Sequence, residues 1–475
     1  INGYTVRLRI TLLKRLWKNT ILLMKKNEFY EITITAMSSE GSGIGRCEGL
    51  AVFVPLSAVG DVLKVRILKV KTNCAFGKIE EIITESKTRI APDCSVFSKC
   101  GGCVYRHISY SEEQRIKQQS VEDAVRRIGK VDLAAKSIVT NEKNCGYRNK
   151  AQYPVSQNGK VGFFANHSHR IVECESCLLQ PEEFTRICEI FTFWMQTSGN
   201  LPYNEETGKG LVRHLYIRKG LKTGEIMVCL VINGEKVNAA KRLVEDLQHE
   251  LGDNLKTVVL NINKAKTNVI LSEKCVPIYG NGYIYDILCG VRVRLNPLSF
   301  YQVNRDMAEL LYQKAAEYAA PEGKTVLDLY CGAGTIGLSM ANKAKNIIGV
   351  EVIPEAVEDA NFNAQNNGIA NARFICADAA VAAQTLAQEG IKPDVIIVDP
   401  PRKGCSQELL ATIANSFCPQ KLVYVSCDPA TLARDINILS GLGYKLQEYT
   451  PFDLFPRTSH VETVALLVKG EESGK

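Results

Sequence analysis

Thr325-Val-Leu-Asp-Leu-Tyr-Cys-Gly-Ala-Gly-Thr335 is the stretch whose reading decides the fold. Thr325 to Leu329 is a short run, apolar but for Thr325 and Asp328, as in a strand buried on both faces. Tyr330 to Thr335 is a glycine-rich turn, and Ile336 to Ala344 read as a helix. A strand, a glycine turn and a helix make the first βα unit of a doubly wound sheet. Glycines there let the backbone approach a ligand at the helix N-terminus. The pattern is D-x-x-x-G-x-G and lacks the third glycine of the dinucleotide fingerprint, so alone it is weak evidence.

The sequence on the C-terminal side strengthens it. Asn346 to Glu351 is a second strand ending in an acid, 23 residues after Asp328, where a carboxylate can accept the two ribose hydroxyls of a nucleoside. A third strand, Arg373–Cys376, ends beside Asp378, in place for an adenine amino group. The competing reading is NAD binding, or acids that merely cap helices. A fourth strand from Asp394 runs into Asp399-Pro-Pro-Arg402, and a fifth from Lys421 runs into Ser426-Cys427-Asp428-Pro429. Ligands bind beyond the carboxyl ends of such strands, so Asp399 and Cys427 should face one crevice. Tyr444–Phe452 and Val461–Val468 complete a seven-stranded sheet. Most cysteines are small buried hydrophobes. The strand-end position lifts Cys427 above that background, whereas Cys331 and Cys376 look structural.

At 475 residues the chain is too long for one hydrophobic core, and about three domains is the expectation. No run of about 18 uncharged apolar residues occurs, so no membrane helix is expected. Residues 1–23 mix apolar and basic residues without a signal-peptide core, and Met24-Lys-Lys would make an ordinary beginning. They read as an over-extended start or a disordered tail. The net charge of +7 lies wholly in residues 1–90, with 15 Lys and Arg against 8 Asp and Glu. A basic module on a neutral body suggests a polyanion, nucleic acid first, although a solvated lysine-rich surface gives the same count. Seventeen cysteines without a signal peptide argue for reduced, cytoplasmic thiols serving metal or catalysis. Six histidines make a His-built metal enzyme a poor fit.

Tyr30 to about Ile83 reads as five short strands, with Gly41, Gly43, Gly45 and Gly49 punctuating turns after the first. That is a small barrel of OB-like size, a shape often used on nucleic acids. An amphipathic helix follows from Tyr110 to about Gly129, with Ile116, Val121, Ala124, Val125 and Ile128 on one side. Between barrel and helix stands Cys94-x5-Cys100-Gly-Gly-Cys103. Gly101 and Gly102 permit the tight turn that two thiolates on one centre need. Cys174 and Cys177 are candidates for a fourth ligand. All-thiolate ligation suits an iron–sulfur cluster or four-cysteine zinc, and spacing does not separate them. Tyr147-Arg-Asn-Lys150 and Phe163-Phe164 with Ser168-His-Arg170 interleave basic residues with aromatics, which suits stacked unpaired RNA bases or an ordinary surface loop.

Five motifs in order resemble the RNA uracil-5-methyltransferase family: Phe300-Tyr-Gln-Val-Asn304, Asp328-Leu-Tyr-Cys-Gly-Ala-Gly334, Asp399-Pro-Pro-Arg402, Ser426-Cys-Asp-Pro-Ala-Thr431 and Phe455-Pro-Arg-Thr-Ser-His-Val-Glu462. The similarity covers nearly everything after Met24. It implies a C-terminal S-adenosylmethionine-dependent methyltransferase fold at 291–475, a central cluster-bearing and RNA-binding mixed α/β domain at 86–290, and a TRAM barrel at 24–85. Gln302, Tyr330, Glu351 and Asp399 would contact the methyl donor, with Asp378 beside the adenine. Cys427 would be the nucleophile and Glu462 the base, a role that rests on the family because a carboxylate opening a C-terminal strand is usually a surface residue. Cluster-bearing members hold 4Fe–4S through this cysteine spacing plus a later one. Cys177-Leu-Leu-Gln-Pro181 matches the fourth position, so the ligands would be Cys94, Cys100, Cys103 and Cys177, with Cys174 the lesser alternative.

The substrate so implied is a uridine of 23S ribosomal RNA, since members with both a TRAM barrel and a cluster resemble the ribosomal enzymes. The rivals are a transfer-RNA uridine methyltransferase and a non-catalytic RNA-binding iron–sulfur protein. Cytosine-5 enzymes use a different proline–cysteine motif, absent here. A monomer acting without a membrane is expected.

Overall fold

The computed structural model describes residues 24–47, 49–141 and 143–470. The expected over-extended start at 1–23 lies outside the described residues. Two compact units result: residues up to 98 with 103–116 and 457–459, and residues 99–102 with 117–456 and 460 onward. Among the described residues no helix is long and apolar enough to cross a membrane.

The first unit is built on a closed barrel of five strands, β1 (Phe29–Met37), β2 (Gly43–Cys47), β3 (Leu50–Val54), β4 (Val62–Val70) and β5 (Cys74–Thr84), in the order β1-β2-β3-β5-β4. Ile32, Ile34, Val52, Val54, Leu63, Val65, Ile67 and Ala75 fill it. Gly41 (φ 82°) and Gly49 (φ 81°) lie in turns as expected, whereas Gly43 and Gly45 lie in strand β2, a correction with a steric cause. A Cβ on Gly45 would lie 2.2 Å from Ile32 Cγ2 and 2.6 Å from the Thr33 carbonyl, and one on Gly43 would lie 2.0 Å from Ser57 Oγ. Glycine there lets a strand approach its neighbours inside a narrow barrel. Helix α1 (Tyr110–Arg127) forms as expected, with Ile116, Val121 and Val125 buried. Ile128 lies beyond its end and is exposed.

The second unit holds two large sheets. The first contains β6 (Lys150–Pro154), then, after the small hairpin β7 (Gly162–Phe164) and β8 (Ile171–Glu173) and helix α2 (Glu182–Thr197), strands β9 (Val212–Lys219) and β10 (Ile226–Ile232). Helix α3 (Ala240–Leu251) leads to β11 (Leu255–Ile262) and β12 (Cys275–Tyr279). The order is β12-β11-β10-β9-β6. Ala151, Tyr153, Leu215 and Ile217 on one face pack with Phe184, Ile187, Phe191 and Trp194 of α2. A hairpin, β13 (Ile284–Leu288) and β14 (Val291–Leu295), then precedes helix α4 (Arg305–Ala319), capped by Asn304 Oδ1 on the Met307 N–H.

The seven-stranded sheet follows: β15 (Thr325–Leu329), α5 (Thr335–Ser339), β16 (Asn346–Glu351), α6 (Pro354–Asn366), β17 (Ala372–Cys376), α7 (Ala379–Gln388), β18 (Val395–Val398), α8 (Gln407–Thr412), β19 (Lys421–Ser426), α9 (Pro429–Gly441), β20 (Tyr444–Phe452) and β21 (Glu462–Lys469). Its order is β17-β16-β15-β18-β19-β21-β20, with β21 antiparallel to both neighbours. Val326, Ile397, Val423 and Val464 face one core, and Leu327, Ile396, Leu422 and Ala465 the other. Burial on both faces explains the uninterrupted apolar runs. Helix α5 is shorter than the 336–344 expected.

Candidate active site

The site lies at the carboxyl ends of the parallel strands of the second unit. Past β15 the chain turns through Tyr330 (φ 67°), Gly332 (φ 54°) and Gly334 (φ 77°). A Cβ on Gly334 would meet the Phe374 ring at 2.8 Å, so a side chain cannot enter there. Left-handed backbone at Tyr330 is costly for a bulky residue and is the kind of strain a binding turn holds. Asp328 is fully buried below the turn, with Oδ2 accepting from the Gly337 N–H at 2.9 Å. Burial pushes its carboxyl up to about 7, opposed by that hydrogen bond and reinforced by Asp399 and Glu351.

Glu351 ends β16 and clamps the turn. Its Oε2 accepts from Gly332 N at 3.1 Å, and Oε1 accepts from Val352 N at 2.8 Å and Ile353 N at 3.0 Å. Asp378 caps α7, with Oδ1 accepting from the Ala380 and Val381 N–H groups. The helix-capping alternative is therefore realised for one of its oxygens. Tyr330 stands within electrostatic reach of Asp378, and burial with Cys405 and Asp378 holds its phenol well above the usual range. Val352, Ile353 and Val381 are exposed around these acids. Acids beside an exposed apolar surface and a glycine turn fit a nucleoside-bearing methyl donor. Gln302 is placed through its backbone, its carbonyl accepting from Asn149 Nδ2 at 2.9 Å, two residues before the α4 cap.

Cys427 follows β19 and precedes α9. Ser426 Oγ accepts from Asp428 N at 3.1 Å, and Asp428 Oδ1 accepts from Thr431 N at 2.8 Å, fixing the turn on which the thiol sits. Ser426 pairs with Thr463 across the antiparallel β19–β21 ladder. Cys427 and Glu462 are therefore adjacent at the same sheet end. Glu462 is 6% exposed, which corrects the surface position usual for a carboxylate opening a strand. Burial and the neighbouring Asp399 push it up to about 8, partly opposed by Arg402. Burial, then Glu462 and Asp399, push the half-buried Cys427 thiol up to about 11, again opposed by Arg402. Burial alone raises Asp399 to about 7.

A group of cations borders these acids. The His460 imidazole is held below its usual range by burial and by Arg402, Lys117 and Arg148. Lys117 is paired with Asp453 at 2.7 Å. Arg402 received no role of its own from the sequence, and Arg148 was read only as part of a basic–aromatic segment for RNA or an ordinary surface loop; no spacing showed that both act on His460.

The basic–aromatic loop needs a correction. Tyr147 is buried and donates to the Pro456 carbonyl at 2.9 Å, so it is a core anchor and no stacking platform. Phe164 and His169 of the β7–β8 hairpin are exposed, edge to face at 6.0 Å.

Of the sequence-predicted thiolate ligands, Cys94 and Cys103 belong to the first unit, Cys100 and Cys177 to the second, and all are half-buried. Arg106 Nε donates to Cys103 Sγ at 3.4 Å, and the Gly102 N–H donates to Cys100 Sγ at 3.4 Å. Such donors suit sulfur held as thiolate. Among the described residues, no three His, Cys, Asp or Glu side chains are grouped so as to hold a metal ion.

Comparison with known proteins identifies the family. The TRAM domain matches residues 25–79. An uncharacterized RNA methyltransferase of Clostridium tetani is 41% identical over 448 residues, covering 94% of this chain and 97% of the relative. Another from Caldanaerobacter subterraneus is 42% identical, covering 94% and 99%. The crystal structure of Pyrococcus abyssi tRNA (uracil-54, C5)-methyltransferase with S-adenosyl-L-homocysteine superposes with a TM-score of 0.75 at 26% identity, over 92% of this chain and 99% of that one. The sequence model for tRNA (Uracil-5-)-methyltransferase matches residues 131–470. The chain belongs to that family of S-adenosylmethionine-dependent RNA uracil-5-methyltransferases.

Proposed function

We propose that this enzyme methylates carbon 5 of a uridine in 23S ribosomal RNA, in the cytoplasm, through a covalent adduct of Cys427 at carbon 6. The observation that carries the reading is the β19–β21 register, which brings Cys427 and Glu462 to one sheet end beside Asp399. Carbon 5 belongs to an electron-poor conjugated ring. Addition of the Cys427 thiolate to carbon 6 converts that ring to an enolate with electron density on carbon 5. The bound donor supplies an electrophilic methyl group and departs as a neutral thioether. Glu462 then takes the proton from carbon 5, and the Cys427–carbon 6 bond breaks to return the thiolate. Gln302, Tyr330, Glu351, Asp378 and Asp399 hold the donor. The target base leaves any stack to enter.

Burial and neighbouring acids, Asp399 at Glu462 and both Glu462 and Asp399 at Cys427, favour the neutral carboxyl and thiol before the donor binds. A cation entering the crevice favours their charged forms. The chemistry is thus matched to the loaded site.

The proposal includes a 4Fe–4S cluster on Cys94, Cys100, Cys103 and Cys177. Its support is the cysteine spacing and the N–H donors on Cys103 and Cys100. No step above uses an electron, so its role is structural or RNA-orienting. Protein purified without oxygen should be brown, absorb near 400 nm, and contain iron and sulfide; a colourless protein holding stoichiometric zinc would refute it.

Transfer RNA is the second reading, favoured by the Pyrococcus enzyme, whose stated substrate is tRNA and which spans 92% of this chain. Mapping 5-methyluridine in both RNA pools with and without the gene decides between them. RNA containing 5-fluorouridine should trap the wild type covalently and fail to trap Cys427→Ala, whose turnover should fall at least about a thousandfold.

A further inference from the structure

Lys150 of β6 and Arg218 of β9 are direct cross-strand partners, so their side chains share one face of that sheet. Like charges facing each other on a sheet destabilise it. Arg148, two residues before Lys150, adds a third cation close enough to act on the Lys150 amine. Burial, then Arg218 and Arg148, pushes that amine down to about 8. Among the described residues none of the three has a carboxylate partner. Arg218 is almost fully buried and donates to the carbonyls of Asn296 at 2.9 Å and Ser299 at 2.7 Å, dipoles that leave its charge uncancelled.

The same face carries further unmet polarity. Arg218 Nε is buried without a hydrogen-bond partner, where such a donor would normally be satisfied. Lys150, Gln152 and Arg148 are each only partly buried, so solvent or a ligand reaches the edge of the cluster. Its position ties it to the active site. Asn149, between Arg148 and Lys150, donates its backbone N–H to the Val303 carbonyl at 2.8 Å and its side-chain amide to the Gln302 carbonyl at 2.9 Å. The Arg218-bound carbonyls belong to the loop that leads into Phe300-Tyr301-Gln302.

We infer that Arg148, Lys150 and Arg218 form an anion site for one backbone phosphate of the RNA strand, next to the nucleotide that enters the active site. This rests on the RNA-methyltransferase reading and adds which residues position the strand. A phosphodiester supplies the negative charge that the trio lacks, and anchoring it fixes the register of the flipped base. Arg218 is the buried, carbonyl-held base of the site; Lys150 and Arg148 reach the ligand.

The test uses the full-length protein with Lys150→Gln and Lys150→Arg, transcribed 23S rRNA or tRNA as substrate, and S-adenosylmethionine. Loss of one phosphate contact should raise the KM for RNA about tenfold in Lys150→Gln and lower its dependence on salt by about 0.7 in log–log slope. kcat and the KM for S-adenosylmethionine should hold, Lys150→Arg should restore RNA binding, and the melting temperature of Lys150→Gln should equal or exceed that of the wild type. An unchanged RNA KM and salt slope would overturn the assignment. So would a rise in the KM for S-adenosylmethionine alone, which would make the anion the donor's carboxylate. A lower melting temperature that accounts for the weaker binding would also overturn it. A wild type that methylates neither RNA would instead refute the functional reading.

Discussion

At the scale of single residues, the Cys427 end of the candidate site holds two carboxyls, Asp399 and Glu462, and a thiol that resist ionisation, and one guanidinium, Arg402, that favours it. In the proposed reaction Glu462 must be unprotonated to take the carbon 5 proton, and burial and Asp399 push its carboxyl up to about 8. Activity is therefore lost as pH falls through that value. A profile of kcat/KM should rise from pH 6.5 to about 8, with the apparent value belonging to the Glu462–Asp399 pair. Glu462→Gln should abolish most turnover and remove this limb. Arg402 opposes the rise at both Cys427 and Glu462. Arg402→Gln should thus move the limb to higher pH, and a profile that stays in place would exclude Arg402 from the site's electrostatics. Cys427 was legible from its strand end. The burial of Glu462 was not, because whether a strand's first residue faces solvent depends on what packs over that sheet end, which no local pattern encodes.

At the scale of elements, the apolar runs from Thr325, Asn346, Asp394 and Lys421 were readable because parallel strands buried on both faces carry a distinctive unbroken pattern. Strand β2 was hidden, since Gly41, Gly43, Gly45 and Gly49 signal turns in any local reading. Only the approach of Ile32 and Thr33 on one side shows why Gly45 is needed within a strand. Gly45 pairs with Ile34 on β1 and Val52 on β3, so it has no free edge on which to relax. Gly45→Val should therefore cost the barrel about 1–3 kcal/mol or more through overpacking. Circular dichroism or calorimetry should show earlier unfolding, and unchanged stability would mean that the barrel is more compliant than these distances allow. Tyr147 failed in the other sense: its basic neighbours suggested a surface loop, yet its hydroxyl is tied to Pro456. Short motifs report composition, and burial is decided by partners far along the chain.

At the scale of the whole molecule, the net charge sits in residues 1–90 while Glu351, Asp378, Asp399 and Cys427 lie in the second unit. The two units have separate apolar cores, one in the barrel around Leu63 and Val65, the others on the five-stranded sheet and on both faces of the seven-stranded sheet. Chains of this kind need not unfold as a single two-state system. A ligand that binds only the native second unit stabilises that unit by mass action, about 2.7 kcal/mol at a hundred times its dissociation constant. S-adenosylhomocysteine should accordingly raise the transition of the second unit. Leu63→Ala removes a fully buried side chain from the barrel and should cost about 2–5 kcal/mol there. Calorimetry of that variant should show the barrel's transition lowered and the ligand-dependent shift intact, with S-adenosylmethionine affinity unchanged. Loss of donor affinity in Leu63→Ala would instead mean that the barrel's integrity supports the donor site, and RNA and donor binding would then be thermodynamically coupled.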